Sequence, residues 1–141
     1  MGRRRAADVI AADTSALLAI VFDEPERDAF LDIVRASGRT LVSAMSVVEA
    51  RMVVHGRKGQ PGVILLDDIL RQPAFEMVSP DTRQVEIAYG AFVAYGRGSG
   101  HPAALNFGDV FSYALAKSRG VPLLYKGDDF MRTDLERAMS R

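Results

Sequence analysis

The 141-residue chain has no cysteine, no tryptophan and only two histidines, His55 and His101. Without cysteine there is no disulfide, no thiol nucleophile and no thiolate site for zinc or an iron–sulfur cluster, which fits a reducing cytoplasm. The histidines are not spaced as a ligand pair, and His101 precedes Pro102 in loop-like sequence. An excess of one charge is also missing. Eighteen Lys and Arg balance eighteen Asp and Glu, so no global basic field draws in nucleic acid and any polyanion must be held locally. No apolar run reaches signal-peptide or membrane-spanning length, because the run after Val9 is broken at Asp13. A soluble, cytoplasmic protein without a membrane partner is expected. There is no G-x-x-x-x-G-K-[ST], no G-x-G-x-x-G behind a strand, and no G-x-S-x-G around Ser43, Ser46 or Ser112. Nucleotide cradles and a serine-triad hydrolase are therefore disfavoured.

What remains is an ordinary globular composition, 48% hydrophobic and 26% charged, which argues against a disordered or fibrous chain. The length suits one domain able to bury about two-thirds of its unfolded surface. Residues 1–7 (MGRRRAA) read as a frayed extension, with a phosphate-contacting arm as the alternative, and residues 8–141 as the domain.

Short apolar runs alternate with helical patterns. DVIAA (8–12) reads as a strand, followed at once by a helix over 14–22 capped by Asp13 or Thr14. A helix from Pro25 stopped by Gly38 precedes a second strand, RTLVS (39–43). SAMSVVEARMVVHGR places Met45, Val48, Met52 and Val53 on one helical stripe ending near Gly56, and a further helix lies between Pro61 and Pro73. FEMVS (75–79) reads as the third strand, and Asp81 caps a long helix. After the glycine-rich loop 96–102, a helix opens at Gly108-Asp109 and closes at Gly120. PLLYK is the fourth strand, with a turn and a short helix behind it. This alternation predicts a three-layer α/β/α domain around a parallel sheet of four to five strands.

In such sheets ligands bind beyond the carboxyl ends of the strands. Asp13 follows the first strand, and Asp128 and Asp129 follow the fourth; Asp109 opens a helix that a short loop brings to the same rim. Glu49, on the apolar stripe between Met45 and Val53, points inward with no basic residue at i±4. Acids converging without cations repel one another and hold together most readily around Mg²⁺ or Mn²⁺, hard ions that suit oxygen-only sites. Taken singly, Asp13 and Asp109 read equally well as helix caps, and Asp128 and Asp129 as a solvated turn; capping and metal binding are compatible. Thr14 and Asn106 lie beside two of the acids as candidates to orient a carboxylate. Arg97, Lys117 and Lys126 are candidate phosphate contacts.

VIAADTSALLAIVFDEP, SVVEA, LNFGDVFSYALAK and PLLYKGDDF, in this order, resemble the PIN domain, specifically VapC-type toxins of bacterial toxin–antitoxin pairs. The resemblance spans nearly the whole chain after about residue 8. It implies a magnesium-dependent endoribonuclease, with Mn²⁺ able to substitute, that is usually a homodimer and is inhibited by a VapB-type antitoxin whose tail fills the active site. By position it makes Asp13, Glu49 and Asp109 three of the family acids. The fourth precedes a phenylalanine, where both Asp128 and Asp129 qualify and Asp128 is preferred. The family suggests tRNA or a ribosomal RNA loop as substrate. The MGRRRAA start departs from the pattern, since such toxins begin only a few residues before the first aspartate. Two other readings compete: a phospho-acceptor receiver domain, and a noncatalytic PIN-like RNA-binding module. A haloacid-dehalogenase-like phosphatase would need D-x-D, but position 15 is serine.

Overall fold

The computed structural model describes residues 7–139; most of the MGRRRAA start therefore lies outside the described residues. Four parallel strands, β1 (Val9–Ala12), β2 (Arg39–Ser43), β3 (Phe75–Val78) and β4 (Leu123–Leu124), form one sheet in the order β3-β2-β1-β4. Side chains alternate across it: Ile10 and Ala12 face one core, Ala11 the other. Helices α1 (Thr14–Val21), α2 (Arg27–Ala36) and α3 (Ala44–Leu70) cover the first face. The second is covered by α4 (Thr82–Tyr95) and α5 (Phe107–Arg119), which pack against each other. This is the three-layer α/β/α arrangement.

Strand order decides where the site must be. The chain runs outward from β1 through β2 to β3, then returns to place β4 on the other side of β1. The connections thus diverge at the carboxyl ends of β1 and β4, the switch point where open α/β sheets form their crevice. The β1–β4 pairing extends one residue further, with the Asp13 amide donating to the Leu124 carbonyl at 2.9 Å.

Several boundaries differ from the sequence reading. The segment from Ala44 to Leu70 is two helices, as read from the sequence, but they meet directly at a kink at Gly59 (φ 64°, ψ −164°) instead of across a loop. Pro61 is tolerated because it opens the second half, where an amide proton has no helical partner to lose. The stripe Met45, Val48, Met52, Val53 is not the core face: Val48 is 50% and Met52 70% exposed, whereas Ser46, Val47, Ala50 and Val54 are buried. Small residues on that face let α3 approach α1 and α5 closely. Helix α5 opens at Asn106, three residues before Asp109. Only Leu123 and Leu124 of PLLYK are strand, and the short terminal helix is a single 3-10 turn, Asp129–Arg132. Residue Arg137 adds one parallel bridge to Leu123, the only trace of a fifth strand among the described residues. Among the described residues no helix is long and apolar enough to cross a membrane.

Candidate active site

Three helix N-termini meet at the carboxyl edge of the sheet. Helix α1 is capped by Asp13, α3 by Ser43 and α5 by Asn106. Their unpaired amides and dipoles make this rim receptive to negative charge. Asp13 is 3% exposed, and both of its carboxylate oxygens accept from hydroxyl or amide donors. Oδ2 accepts from the Ser15 amide at 3.0 Å and the Ser15 hydroxyl at 2.7 Å. Oδ1 accepts from the hydroxyl of Ser112 on α5. The Ser15 oxygen in turn accepts from the Lys126 amide at 3.0 Å, which keys the loop after β4 to the first acid.

Asp109 lies in the first turn of α5 within a reciprocal capping box. Its amide donates to Asn106 Oδ1 at 2.9 Å, and its Oδ2 accepts from the Asn106 amide at 3.0 Å. Asn106 therefore does orient a carboxylate, that of Asp109. Thr14, buried beside Asp13, instead donates to the Ser46 carbonyl at 3.5 Å. Glu49, half-buried on α3, reaches the start of α5: a Cβ built on Gly108 would lie 2.7 Å from the Glu49 carboxyl carbon, and closer still to Oε2. That approach exists only because residue 108 is glycine.

Burial, first of all, pushes the Asp109 carboxyl up from 3.8 to about 7; the Asn106 amide opposes this, and the charges of Asp13, Asp129 and Glu49 reinforce it. Four acids from four separate segments therefore share one electrostatic neighbourhood. Asp129 is the member of the terminal pair whose charge reaches Asp109, whereas the charge of Asp128 acts on Tyr125. This runs against the sequence preference for Asp128. Among the described residues, none of these acids has an ion pair with a lysine or arginine.

The donor set fits a hard divalent cation: it is all oxygen, partly buried and uncompensated, and the acids raise the proton affinity of Asp109. Among the described residues no three of the acids already stand as a closed ligand cluster. Asp13 and Asp109 are turned to serine and amide donors, the arrangement that mutual repulsion between carboxylates favours.

A consequence for stability follows from the raised carboxyl. Its folded-state value exceeds the ordinary one, so the fold favours the protonated form; the associated stability is complete below about pH 4 and is lost as pH rises through about 7. In divalent-free buffer, thermal melts from about pH 5 to about pH 8 should show this loss, and Asp109→Asn should remove much of it. After discounting for solvent screening at a half-buried group, the difference is roughly 1–2 kcal/mol. An unchanged pH slope in the variant would refute the assignment.

The three cations singled out from sequence are dispersed. Lys117 is in the last turn of α5, away from Asp109, and pairs with Asp134 at 2.6 Å. Lys126 is beside the acids through its backbone, but its ammonium pairs with Glu24 at 3.3 Å and Glu26 at 3.4 Å. Exposed Arg97 has no ion pair among the described residues; it lines a groove between α4 and α5 together with Asn106 and Phe107. His101 is a loop staple, its Nδ1 accepting from the Ala103 amide at 3.0 Å. Sequence reasoning missed Ser15, Ser46, Ser112 and Gly108. Only Ser15 carried a local signal, since a serine two residues after a helix-capping Asp can close a turn onto it.

The PIN domain model matches residues 10–136 of the chain. Ribonuclease VapC30 of Mycobacterium tuberculosis is 44% identical over 123 residues, covering 87% of this chain and 93% of that protein. Ribonuclease VapC28 of the same organism is 40% identical over 129 residues, covering 92% and 97%. Among solved structures, the Mycobacterium tuberculosis toxin VapC20, described as cleaving the sarcin-ricin loop, superposes with a TM-score of 0.76 at 16% identity. It covers 93% of this chain and 99% of its own. VapBC from Salmonella typhimurium, solved bound to DNA, gives 0.70 at 16% identity, covering 91% and 94%. At such identities the structures are similar in fold.

Proposed function

Since this chain belongs to the VapC-type ribonucleases of the PIN domain family, we propose that it is a Mg²⁺-dependent endoribonuclease toxin held in check by a VapB-type antitoxin. The observation that carries the metal-dependent reading is that the charges of Asp13, Glu49 and Asp129 all act on Asp109 at the start of α5, where the Glu49 carboxyl lies against Gly108, with no ion pair to any of them among the described residues.

Asp13 and Asp109 are the principal ligands, and Glu49 and Asp129 hold a second ion or orient the attacking water. When bound, Mg²⁺ supplies a more acidic water and offsets charge on the phosphate oxygens, and Mn²⁺ is expected to substitute. Loading requires Asp109 to give up a proton near neutrality, so metal affinity rises with pH through about 7. Helix α5 fixes Asp109 at both amide and carboxylate, so that ligand is preorganised along the helix axis. The hydroxyls of Ser15 and Ser112 hold Asp13 on both of its oxygens. The test is to map RNA ends generated by the purified protein with Mg²⁺ and with a chelator. Cleavage that persists in the chelator overturns the metal dependence, and absence of new ends on any tRNA or ribosomal RNA overturns the nuclease reading.

The acids repel phosphate, so RNA must be held by the ion and by peripheral cations. Of the three candidate cations, Lys117 and Lys126 are committed to carboxylates, so Arg97 is the one proposed to contact phosphate. Arg97→Ala should weaken RNA binding and lower the slope of log affinity against log salt by about one. An unchanged slope removes Arg97 from the interface.

The exposed apolar residues Val85, Tyr89, Phe92 and Val93 on α4 and Phe107 on α5 suit the proposed homodimer, and sedimentation of the isolated chain, reading one copy or two, tests it. The antitoxin's tail is proposed to fill the acid pocket. The receiver reading fails on topology. It needs a phospho-acceptor after the third strand, yet β3 is the sheet edge two strands from Asp13 and ends in Val78-Ser79-Pro80.

A further inference from the structure

Beneath the acids lies a buried chain of hydroxyls that no metal ligand role accounts for. Ser112 is 1% exposed, Ser46 2% and Asp13 3%. The Ser46 and Ser112 oxygens are 3.1 Å apart, and the Ser112 hydroxyl also donates to Asp13 Oδ1. We propose that Ser46 and Ser112 form a relay that positions Asp13 for metal binding, neither of them touching the ion. The inference rests on the metal-dependent reading above and names two positioning residues for it.

The direction of the relay follows from proton counting. An ionised carboxylate only accepts, so the single Ser112 proton goes to Asp13. The Ser112 oxygen is then left to accept, and the Ser46 proton is what it accepts. Each hydroxyl is thereby satisfied in a place where an unpaired one is costly.

Placement gives the relay its purpose. Ser46 is one turn before Glu49 on α3, and Ser112 one turn after Asp109 on α5. The two helices come from opposite faces of the sheet, and the relay joins them to the β1–α1 junction. Ser15 holds the other Asp13 oxygen from within the same turn, so it fixes Asp13 relative to α1 and, through the Lys126 amide, to the loop after β4, but not to α5. The Ser112 bond fixes Asp13 relative to the helix that carries Asp109. Spacing between these two acids is what a shared ion senses. Asp13 Oδ1 takes only the Ser112 proton and keeps a second acceptor site, so that bond leaves it able to act as ligand.

The experiment measures Mn²⁺ binding to the full chain by the electron paramagnetic resonance of the free ion, independently of RNA cleavage. Ser112→Ala should weaken Mn²⁺ binding about 10–100-fold, the usual effect of removing a group that orients a metal ligand. Cleavage at saturating Mn²⁺ should fall far less than the affinity, and KM for RNA should not move. Ser46→Ala should weaken binding about fivefold, the worth of one neutral hydrogen bond. Because Ser46 acts only through Ser112, the double variant should bind no more weakly than Ser112→Ala. Wild-type Mn²⁺ affinity in either single variant, or losses that add, would overturn the relay. Should Ser112→Ala not fold, Ser46→Ala decides alone. Failure of the unaltered protein to bind Mn²⁺ would instead overturn the metal-dependent reading.

Discussion

Asp13→Asn is expected to leave a folded protein whose RNA cleavage has dropped by about 10³-fold or more, corresponding to about 4 kcal/mol of transition-state stabilisation. The structure explains why folding survives. Asparagine caps a helix as well as aspartate does, so α1 keeps its start. The Ser15 amide can only donate, which turns the Asn oxygen toward it and its NH₂ toward Ser112. Ser112 is a hydroxyl and can accept from that NH₂ while giving its own proton to Ser46. Both links of the chain therefore reverse, which keeps the contacts and leaves only the Ser46 proton to find another acceptor, while the negative charge is lost. Mapping of RNA ends and a thermal melt, run side by side, make the check. Cleavage at the wild-type rate by a folded Asp13→Asn protein would refute the acid site as the catalytic centre, and no cleavage even by the unaltered protein would leave a noncatalytic RNA-binding module as the better reading.

The second large effect separates neighbours. Asp129→Asn is expected to reduce cleavage about 10²-fold, and Asp128→Asn to leave it within about threefold. Asp129 opens the 3-10 turn anchored by Phe130, which is 2% exposed and packs 5.2 Å from the Tyr125 ring. The charge of Asp129 reaches Asp109 from this turn, while that of Asp128 is felt at Tyr125. Side-by-side rates for the two variants decide the matter, and the opposite ranking would return the role to Asp128.

Local chemistry made much of this legible in the sequence. The alternation of apolar runs with caps at Asp13, Asp81 and Gly120 describes elements that form within a few residues, and each is found where it was read. The position of Asp13 beyond a strand was legible for the same reason. Nonlocal pairing was not. Nothing in the sequence distinguishes Ser112, which bonds an acid 99 positions away, from any other helical serine. Lys126 adjoins the acids in sequence, yet its ammonium is taken by Glu24 and Glu26. The inward stripe on α3 was misassigned because large apolar residues advertise a core face, whereas α3 buries Ser46, Ala50 and Val54 to come close to its neighbours. Glu49 was singled out by a faulty stripe; it reaches the acids from the border of the buried face.

The missing side chain at Gly108 constrains how this chain can diverge. Alanine there would displace the Glu49 carboxylate, and a bulkier residue would displace it further. A chain that gains a side chain at 108 can relieve the clash by shortening 49 to aspartate, which retreats by one methylene. The two positions, remote in sequence, should therefore vary as a couple across descendants of this protein, glycine with glutamate and larger with shorter.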